Sequence, residues 1–334
     1  MAVRHHQDQR GAALLIVLLL TATLAFIVLG VAESLSHSMQ RTAGASNRSE
    51  LLWRAMSLEV VAREAILEAD RLSTDQGVRY TRDHPLFATT FPIPAEGGGG
   101  LLRFADASQC FNVNSLVTQT EDGTQTDETA VLELVEILKA LGLGNADGQR
   151  IARVVADWID DDNFSDVRGS EDGYYASLPT PYRTGRTQIA AISELRAMNG
   201  VTRSVYETIR PFLCAAPNPA PMTINVNMLE PSDAPLVVGL TAGAASSGDA
   251  REAIEARPPG GWANIEEFWA HRAFSDLEID ESFKQRRTAV RAKYIDVIGQ
   301  AAVNDIEIAV RLRFATLGSN GDIRLVSREL GADL

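Results

Sequence analysis

The sequence predicts an α+β protein in which an N-terminal transmembrane helix precedes an antiparallel sheet, with a large α-helical domain inserted into that sheet. Three observations lead to this fold class. Residues 12–32 form an uncharged apolar run, helical periodicity dominates the region between two Asn-Val-Asn phrases, and apolar and polar residues alternate in residues 305–314. With 334 residues, 45% of them hydrophobic, the chain is large enough for two or three cores.

Charge and cysteine content exclude several classes of function. The chain has 31 basic and 44 acidic residues, a formal net charge of −13, so no broad basic field attracts a nucleic acid backbone. Two cysteines are too few for a disulfide-built scaffold or a four-thiolate zinc site. Five histidines, three of them near the N-terminus, do not suit a His-rich metal centre.

The apolar run from Ala12 to Ala32 has no charged residue. As a helix it is about 32 Å long, enough to cross the hydrocarbon core of a bilayer. Arg4 and Arg10 precede it and Glu33 follows it. The positive-inside rule therefore leaves the N-terminus in the cytoplasm and places the rest of the chain outside.

The alternative for this run is an ordinary secretory signal peptide that is cleaved off. The run is longer than a usual signal core, and helical periodicity continues through residues 33–72, which favours a retained helix with an amphipathic stalk. The predicted apolar positions of the stalk are Leu51, Leu52, Met56, Leu58, Val61, Ala65 and Ile66.

Residues 73–116 are predicted to supply the first part of the sheet. Prolines and the run Gly97 to Gly100 predict an irregular connection, after which Leu101 to Leu116 begins as a strand and ends in Phe-Asn-Val-Asn. A similar phrase, Ile-Asn-Val-Asn, occupies residues 224–227. Asparagine suits a turn or cap at a strand end, so the two phrases are expected to bracket an inserted domain.

The inserted region, 117–223, and the segment that follows it, 224–292, read mostly as helix. Asp127 is the expected N-cap of a helix from Glu128 to Leu141, with further helices at 146–159 and 192–198. Three Gly-apolar-(Gly or Thr) triplets are expected to form helical hairpins. They begin at Gly142, Gly200 and Gly239.

Residues 293–334 return to strand periodicity. Ile306, Ile308, Val310, Leu312 and Phe314 alternate with polar residues. This pattern is typical of a half-buried antiparallel strand. Strands at 294–302 and 323–327 are expected to flank it in a three-stranded meander.

The segment from Asp157 to Asp172 is strongly acidic. It holds seven carboxylates and a single base, Arg168, so the charges repel one another unless a cation neutralises them. Oxygen ligands without His or Cys suit calcium. The spacing does not match an EF-hand, and a solvated acidic loop remains the alternative.

The N-terminus resembles the class III signal of type IV pilins and type II secretion pseudopilins, because a short basic leader ends in Gly11 and is followed by Ala12 and an aliphatic helix. The resemblance implies that a prepilin peptidase cleaves between Gly11 and Ala12 and methylates the new N-terminus. Most such proteins carry glutamate at the fifth mature position, where this chain has Ile16. That departure is a mark of the K-type minor pseudopilin, general secretion pathway protein K.

The acidic segment resembles the same K-type family, since Asp-Trp-Ile-Asp-Asp-Asp precedes Gly-Ser-Glu-Asp-Gly-Tyr-Tyr and a Pro-Tyr-Arg turn. The family binds calcium in this domain, so the resemblance implies calcium as the cofactor. The implied ligands are Asp157, Asp160, Asp162, Glu171 and Asp172. Trp158, Tyr174 and Tyr175 are expected to be packing residues beside the loop.

The resemblance implies a pilin-like fold with the following division. Residues 1–11 are a leader, 12–72 the transmembrane and stalk helix, 73–116 the first part of the pilin-like domain, 117–223 the inserted helical domain, 224–292 a helical hairpin segment and 293–334 the C-terminal strands.

The leading hypothesis for function is a minor pseudopilin at the tip of a periplasmic filament that takes part in export of folded proteins. The family implies a single-pass protein of the bacterial inner membrane with its C-terminal domain in the periplasm. It also implies the I- and J-type minor pseudopilins and the type II secretion machinery as partners.

A membrane-anchored helix-hairpin-helix protein that binds nucleic acid is the alternative, because the Gly-apolar-Gly hairpins of such domains present N–H groups to phosphates. Two of the three triplets lack the second glycine and few bases lie nearby, so nucleic acid is not an expected partner. No catalytic motif is recognisable, so an enzyme is not expected.

Cys110 and Cys214 each lie shortly before an Asn-Val-Asn phrase, at the proposed entry to and exit from the helical insertion. A disulfide between them is expected, closing a loop of about a hundred residues and stabilising the fold by a few kcal/mol. Two separately buried thiols are the alternative.

Overall fold

The computed structural model describes residues 7–76, 79–120, 123–161, 172–304, 306–317 and 322–331. The helices are α1 (Gln7–Gln76), α2 (Pro85–Ala88), α3 (Glu128–Ala140), α4 (Asn145–Ile159), α5 (Asp172–Ala176), α6 (Arg203–Ile209), α7 (Ala234–Leu240), α8 (Ser247–Glu255), α9 (Ile265–Trp269) and α10 (Glu281–Arg287). The strands are β1 (Thr90–Ala95), β2 (Gly98–Asp106), β3 (Phe111–Asn112), β4 (Val117–Thr120), β5 (Gly123–Thr126), β6 (Leu213–Cys214), β7 (Ile224–Asn225), β8 (Thr288–Ala289), β9 (Tyr294–Val303), β10 (Ile306–Leu317) and β11 (Asp322–Leu330).

Helix α1 is continuous over 70 residues, and its second half packs on the sheet. The buried face consists of Leu51, Ala55, Leu58, Ala62, Ile66 and Ala69. The expectation that Met56 and Val61 belong to this face is wrong, since both side chains are exposed. Alanines take their place because a small side chain lets the helix backbone approach the sheet closely.

The sheet has five antiparallel strands in the order β1-β2-β9-β10-β11. Strands that precede the helical region and strands that follow it therefore meet in one sheet, and the antiparallel fold class is confirmed. The expected meander of β9, β10 and β11 is present, and Val310, Leu312 and Phe314 are buried against α1. Asp305 and residues 318–321, between β10 and β11, lie outside the described residues.

The irregular connection expected at the glycine run is wrong, because Gly98 to Gly100 belong to β2 and pair with β9. Strand β1 pairs only with β2, so it is an edge strand that tolerates Pro92 and Pro94. A Cβ at Gly100 would lie 3.1 Å from Leu58 Cδ2. Glycine here leaves the space into which α1 inserts its leucine.

The helical region between β2 and β9 consists of two units built on the same plan. Each begins with an Asn-Val-Asn phrase and ends in a short strand that pairs in parallel with the first residues of that phrase: β3 with β6, and β7 with β8. Each contains a helical hairpin, α3–α4 in the first unit and α7–α8 in the second. The acidic segment lies in the first unit, between α4 and the 3-10 helix Ile192–Ala197.

The paired asparagines are buried and hold distant loops. Asn112 Oδ1 accepts the Asn114 N–H at 3.2 Å, and Asn225 Oδ1 accepts the Asn227 N–H at 3.0 Å. The second asparagine of each pair then binds a backbone N–H far along the chain: Asn114 Oδ1 accepts from Ile189, and Asn227 Oδ1 from Trp262. The cap role expected of these phrases is confirmed. The same asparagines also bind backbone N–H groups far along the chain and so hold each unit together.

Two of the three expected hairpin turns are present. Gly142 has φ 93° after α3, which glycine adopts readily, and Thr202 caps α6 by accepting the Val205 N–H. The third hairpin, between α7 and α8, is also present, but the expected position of its turn is wrong, because Gly239 lies inside α7 and the chain turns further on, with Ser246 as N-cap of α8. Atoms of α3 lie where a Cβ of residue 239 would be, so a residue larger than glycine would clash there.

Candidate functional site

The acidic segment begins at the C-terminal end of α4, where two carboxylates are buried. Asp157 is 3% exposed and Asp160, the C-cap residue, is 5% exposed. The C-terminal end of a helix carries the negative end of its dipole, so two buried carboxylates there concentrate negative charge. This charge distribution suits a nearby cation.

The exposed Asp161 ties the segment to the β4–β5 hairpin. Its Oδ1 accepts hydrogen bonds from the Thr124 N–H at 3.2 Å and the Thr124 hydroxyl at 2.6 Å, and these bonds lower the pKa of Asp161. Thr124 was not expected to contribute to this region. A polar residue in a short strand carries no sequence pattern that identifies Asp161 as its hydrogen-bond partner.

Asp172 lies at the other end of the segment, at the start of α5. Its Oδ1 accepts from the Thr184 N–H at 2.9 Å and from the Thr184 hydroxyl at 3.0 Å, and its Oδ2 pairs with Arg186 at 2.9 Å. The backbone hydrogen bond from Thr184 is the main cause of its lowered pKa. Asp172 therefore holds the Thr184–Arg186 turn against the end of the loop.

Asp162 and Glu171 lie outside the described residues. Within the described ranges, no group of three His, Cys, Asp or Glu side chains is close enough to hold a metal ion. The described carboxylates do fit calcium chemically, because Asp157 and Asp160 are buried oxygen donors at the start of the acidic segment. The five-residue ligand set stays a prediction.

The aromatic residues beside the loop pack against one another. Tyr175 is fully buried, and its ring lies 5.4 Å from the ring of Trp158 and 5.1 Å from that of Tyr182. The Tyr175 hydroxyl accepts the Asn199 N–H. The packing role expected of Trp158 and Tyr175 is therefore what the structure shows, whereas Tyr174 remains 41% exposed.

Cys110 and Cys214 are joined by a disulfide, with their Cα atoms 5.7 Å apart. Cys214 belongs to β6, which pairs with β3 immediately after Cys110. The bridge therefore closes the first helical unit at the point where its two ends meet. The same region contacts the sheet, since Tyr294 of β9 packs against this cysteine cluster.

Gly11 and Ala12, the expected cleavage site, are consecutive residues of α1. Among the described residues, one helix is long and apolar enough to cross a membrane, and none of its apolar window is buried in the rest of the protein. Ile16 is exposed on this part. The geometry thus agrees with a helix whose N-terminal half is surrounded by lipid or by other helices.

The helical hairpins offer little to a phosphate. Asp147 lies in the first turn of α4, where its negative charge opposes an anion, and it pairs with Arg150. The Arg150 guanidinium covers the backbone of Gly200 in the second hairpin. The two turns that most resemble nucleic-acid-binding hairpins are therefore already occupied by side chains of the protein.

Comparison with known proteins gives a consistent result over the whole chain. Two family profiles, both described as type II secretion system (T2SS), protein K, match residues 109–218 and 224–290. These ranges coincide with the two helical units.

Relatives of similar length extend the match beyond the helical units. The type II secretion system protein K of Pectobacterium carotovorum is 31% identical over 325 residues, 97% of each chain. That of Pseudomonas aeruginosa is 25% identical over 330 residues, 97% of this chain and 94% of the relative. A chain in the crystal structure of the GspK-GspI-GspJ complex from enterotoxigenic Escherichia coli superposes with a TM-score of 0.71 at 24% identity, covering 88% of this chain and 100% of that chain.

Proposed function

The chain belongs to the type II secretion system protein K family and is a minor pseudopilin, and from this premise we propose that it occupies the tip of a periplasmic pseudopilus. The observation that carries the tip position is Ile16. In the pilin-like families, a glutamate at this place pairs with the N-terminal amine of a neighbouring subunit. An isoleucine has no carboxylate for that pairing, so no subunit is expected above this one.

The size of the helical region supports the same position. It comprises two units inserted between β2 and β9, joined to the pilin-like sheet by polar contacts such as the hydrogen bond from Asn225 Nδ2 to Asp106 Oδ2 at 3.0 Å. A domain of this size on a subunit in the middle of a filament would obstruct the next subunit. At the end of the filament it has room.

Its partners in this role are the I- and J-type minor pseudopilins and the secretion machinery. A relative with the same fold has been solved as a GspK-GspI-GspJ complex, which supports this choice. A prepilin peptidase would cleave between Gly11 and Ala12, leaving α1 anchored in the inner membrane and the remainder in the periplasm. The protein acts through assembly, without catalysing a reaction.

Calcium would be bound at the acidic segment through Asp157, Asp160, Asp162, Glu171 and Asp172. The burial of Asp157 and Asp160 at the negative end of α4 supports this part of the proposal. The ion would supply positive charge to the loop and no reactive chemistry. Asp172, which already binds Thr184 and Arg186, would contribute least.

The test of the tip position uses the full chain in its own membrane with the I- and J-type proteins present. N-terminal sequencing should begin at a methylated Ala12, and the three proteins should purify together. On overproduced pseudopili, antibodies against the helical region should label filament ends. Labelling along the whole length, or an N-terminus near Ser34, would contradict the proposal.

A further inference from the structure

Three tyrosines and two arginines gather on the surface of the first helical unit. Tyr174, Tyr182, Arg183, Arg196 and Tyr206 are called here the tyrosine–arginine patch. Two of the tyrosines are anchored on the same turn, because the Tyr182 hydroxyl donates to the Ala197 carbonyl at 2.6 Å and the Tyr174 hydroxyl donates to Asn199 Oδ1 at 3.0 Å. Arg196 lies next to this turn, with its guanidinium 5.9 Å from the centre of the Tyr206 ring.

The two anchored tyrosines are accessible and held in place. Tyr174 is 41% exposed and Tyr182 is 37% exposed. Both rings rest on the buried ring of Tyr175, at 5.2 Å and 5.1 Å between centroids. Because their orientation is already fixed, a partner that covers them would cost little side-chain entropy.

The part of the patch from Tyr182 onward lies in a stretch of sequence with more arginines than carboxylates, although the protein as a whole is acidic. Residues 181–210 contain five arginines and two glutamates, in a chain of net charge −13. Both glutamates are engaged: Glu194 accepts the N–H groups of Ala190 and Ala191, and Glu207 pairs with Arg203.

Two arginines of the patch lack such a partner. Across the part of the chain that the structure describes, Arg183 and Arg196 have no carboxylate within ion-pair distance, and both are exposed. Arg183 acts on the Asp172 carboxylate only at longer range. Neither guanidinium is held in an ion pair, so both can meet carboxylates of a partner.

We infer that the tyrosine–arginine patch is a docking site for an acidic surface of a protein partner. Tyrosine and arginine are the residues that most often dominate binding energy at protein interfaces, and two arginines without carboxylate partners are complementary to carboxylates. Two arginines do not form the extended basic surface that a nucleic acid backbone requires, whereas they suffice for a few carboxylates on a protein. The inference rests on the proposed function, because it takes the helical region of the tip subunit to be exposed in the periplasm, where the partner binds it.

The first test measures binding by the purified full chain in detergent. The probe is a peptide in which six glutamates alternate with phenylalanines, and its counterpart has glutamine in place of glutamate. The substitutions Arg183→Glu and Arg196→Glu together should weaken binding of the acidic peptide at least tenfold. Arg183→Lys with Arg196→Lys should retain most of it, because the charges remain.

A matched control keeps the change in net charge and moves it elsewhere. Arg251→Glu with Arg286→Glu alters two exposed arginines of the second unit and should leave binding within about twofold. Equal affinity in all variants, equal binding of the glutamine peptide, no binding by the unaltered chain, or patch-dependent binding of single-stranded DNA in preference to the peptide would overturn the inference.

The second test is made in cells, with the full chain replaced by each variant. Variants with Arg183→Glu and Arg196→Glu should still purify with the I- and J-type proteins but should lower export of folded proteins at least tenfold, whereas the control double variant should not. Normal export by an assembled patch variant would overturn the docking site and leave the proposed function intact. Failure of the unaltered chain to assemble with the I- and J-type proteins would instead contradict the proposed function.

Discussion

Glu133 and Arg287 show how a single ion pair joins the two helical units. Glu133 of α3 is only 2% exposed, and its carboxylate pairs with Arg287 at the end of α10 through both guanidinium Nη atoms, one of them at 2.7 Å. The same guanidinium donates from Nε to the Met222 carbonyl at 3.3 Å. The pair thus connects the first unit to the last helix of the second unit across their shared core.

Replacing Glu133 by alanine should lower the free energy of unfolding by about 3–5 kcal/mol, because it leaves the Arg287 charge buried without its carboxylate. Chemical denaturation of the detergent-solubilised protein measures this loss. The control Glu207→Ala removes one partner of the exposed Arg203–Glu207 pair and should cost less than about 1 kcal/mol. Similar losses in both variants would contradict the role assigned to Glu133.

Asp233 gives a pH dependence whose sign can be stated. Burial raises the pKa of Asp233 to about 6 from its model-peptide value of 3.8, and the nearby Arg82 opposes this only in part. Between these two pH values the folded state binds more protons than the unfolded state. The contribution of Asp233 to the free energy of unfolding therefore falls as pH rises from about 4 to about 6.

The variant Asp233→Asn should lack this contribution. Its stability relative to the unaltered protein should accordingly increase between pH 4 and pH 7, as measured by urea denaturation at several pH values. A difference that stays constant across this range would show that Asp233 titrates alike in both states.

At the scale of elements, Gly239 fixes the distance between α7 and α3. A Cβ at this position would overlap the Ile137 side chain and would lie 2.8 Å from the Glu133 carbonyl oxygen. The glycine was expected to form a turn, but its function is to let two helices of different units pack closely.

Gly239→Ala should therefore destabilise the protein by about 1–3 kcal/mol through overpacking, although alanine is the better helix former. The matched control is Gly248→Ala in the first turn of α8, where the nearest atom to the new Cβ is Ser246 Oγ at 3.5 Å. The control should be neutral or slightly stabilising. Thermal melts give the melting midpoint of each variant. Equal midpoints for the two variants would refute the packing argument.

The disulfide acts at the same scale, because it fastens β3 and β6, which are separated by most of the first unit. A bridge across 104 residues removes about 4–5 kcal/mol of chain entropy from the unfolded state. Cys110→Ser with Cys214→Ser should lower stability by up to that amount while leaving the second unit folded. Thiol labelling of the denatured, unreduced protein should detect no free thiol, and two labelled cysteines would contradict the bridge.

At the scale of the whole molecule, calcium should stabilise the helical region without affecting α1. Free calcium at a hundredfold excess over its dissociation constant should raise the free energy of unfolding by about 2.7 kcal/mol. Asp160→Asn with Asp162→Asn should abolish most of this gain. Melts of the full chain in detergent, with calcium and with chelator, measure it.

The control for calcium removes two carboxylates from elsewhere in the helical region. Asp276→Asn with Glu278→Gln changes exposed residues between α9 and α10 and should preserve the calcium effect. Identical midpoints with calcium and with chelator in the unaltered protein would mean that the acidic segment is a solvated surface.

Local patterns in the sequence determined many of the elements of this protein. A run of 21 uncharged, mostly apolar residues forms a helix in an apolar environment, and alternation places every second residue of β10 on one face. Asparagine, threonine and glycine set helix ends through bonds to nearby backbone groups. The N-terminal helix, the C-terminal meander, the caps at Asp127 and Thr202 and the family resemblance all followed from such short-range information.

Only the tertiary structure decided which surfaces meet. The alanine face of α1, the place of Gly98 to Gly100 in β2, the packing role of Gly239 and the bond between Asp161 and Thr124 each depend on an element distant in sequence. A periodic pattern states that a face is apolar and leaves its partner unspecified, because contact depends on the space that other elements leave. For the same reason, the gathering of Tyr174, Tyr182 and Arg196 around one turn becomes visible only in the folded chain.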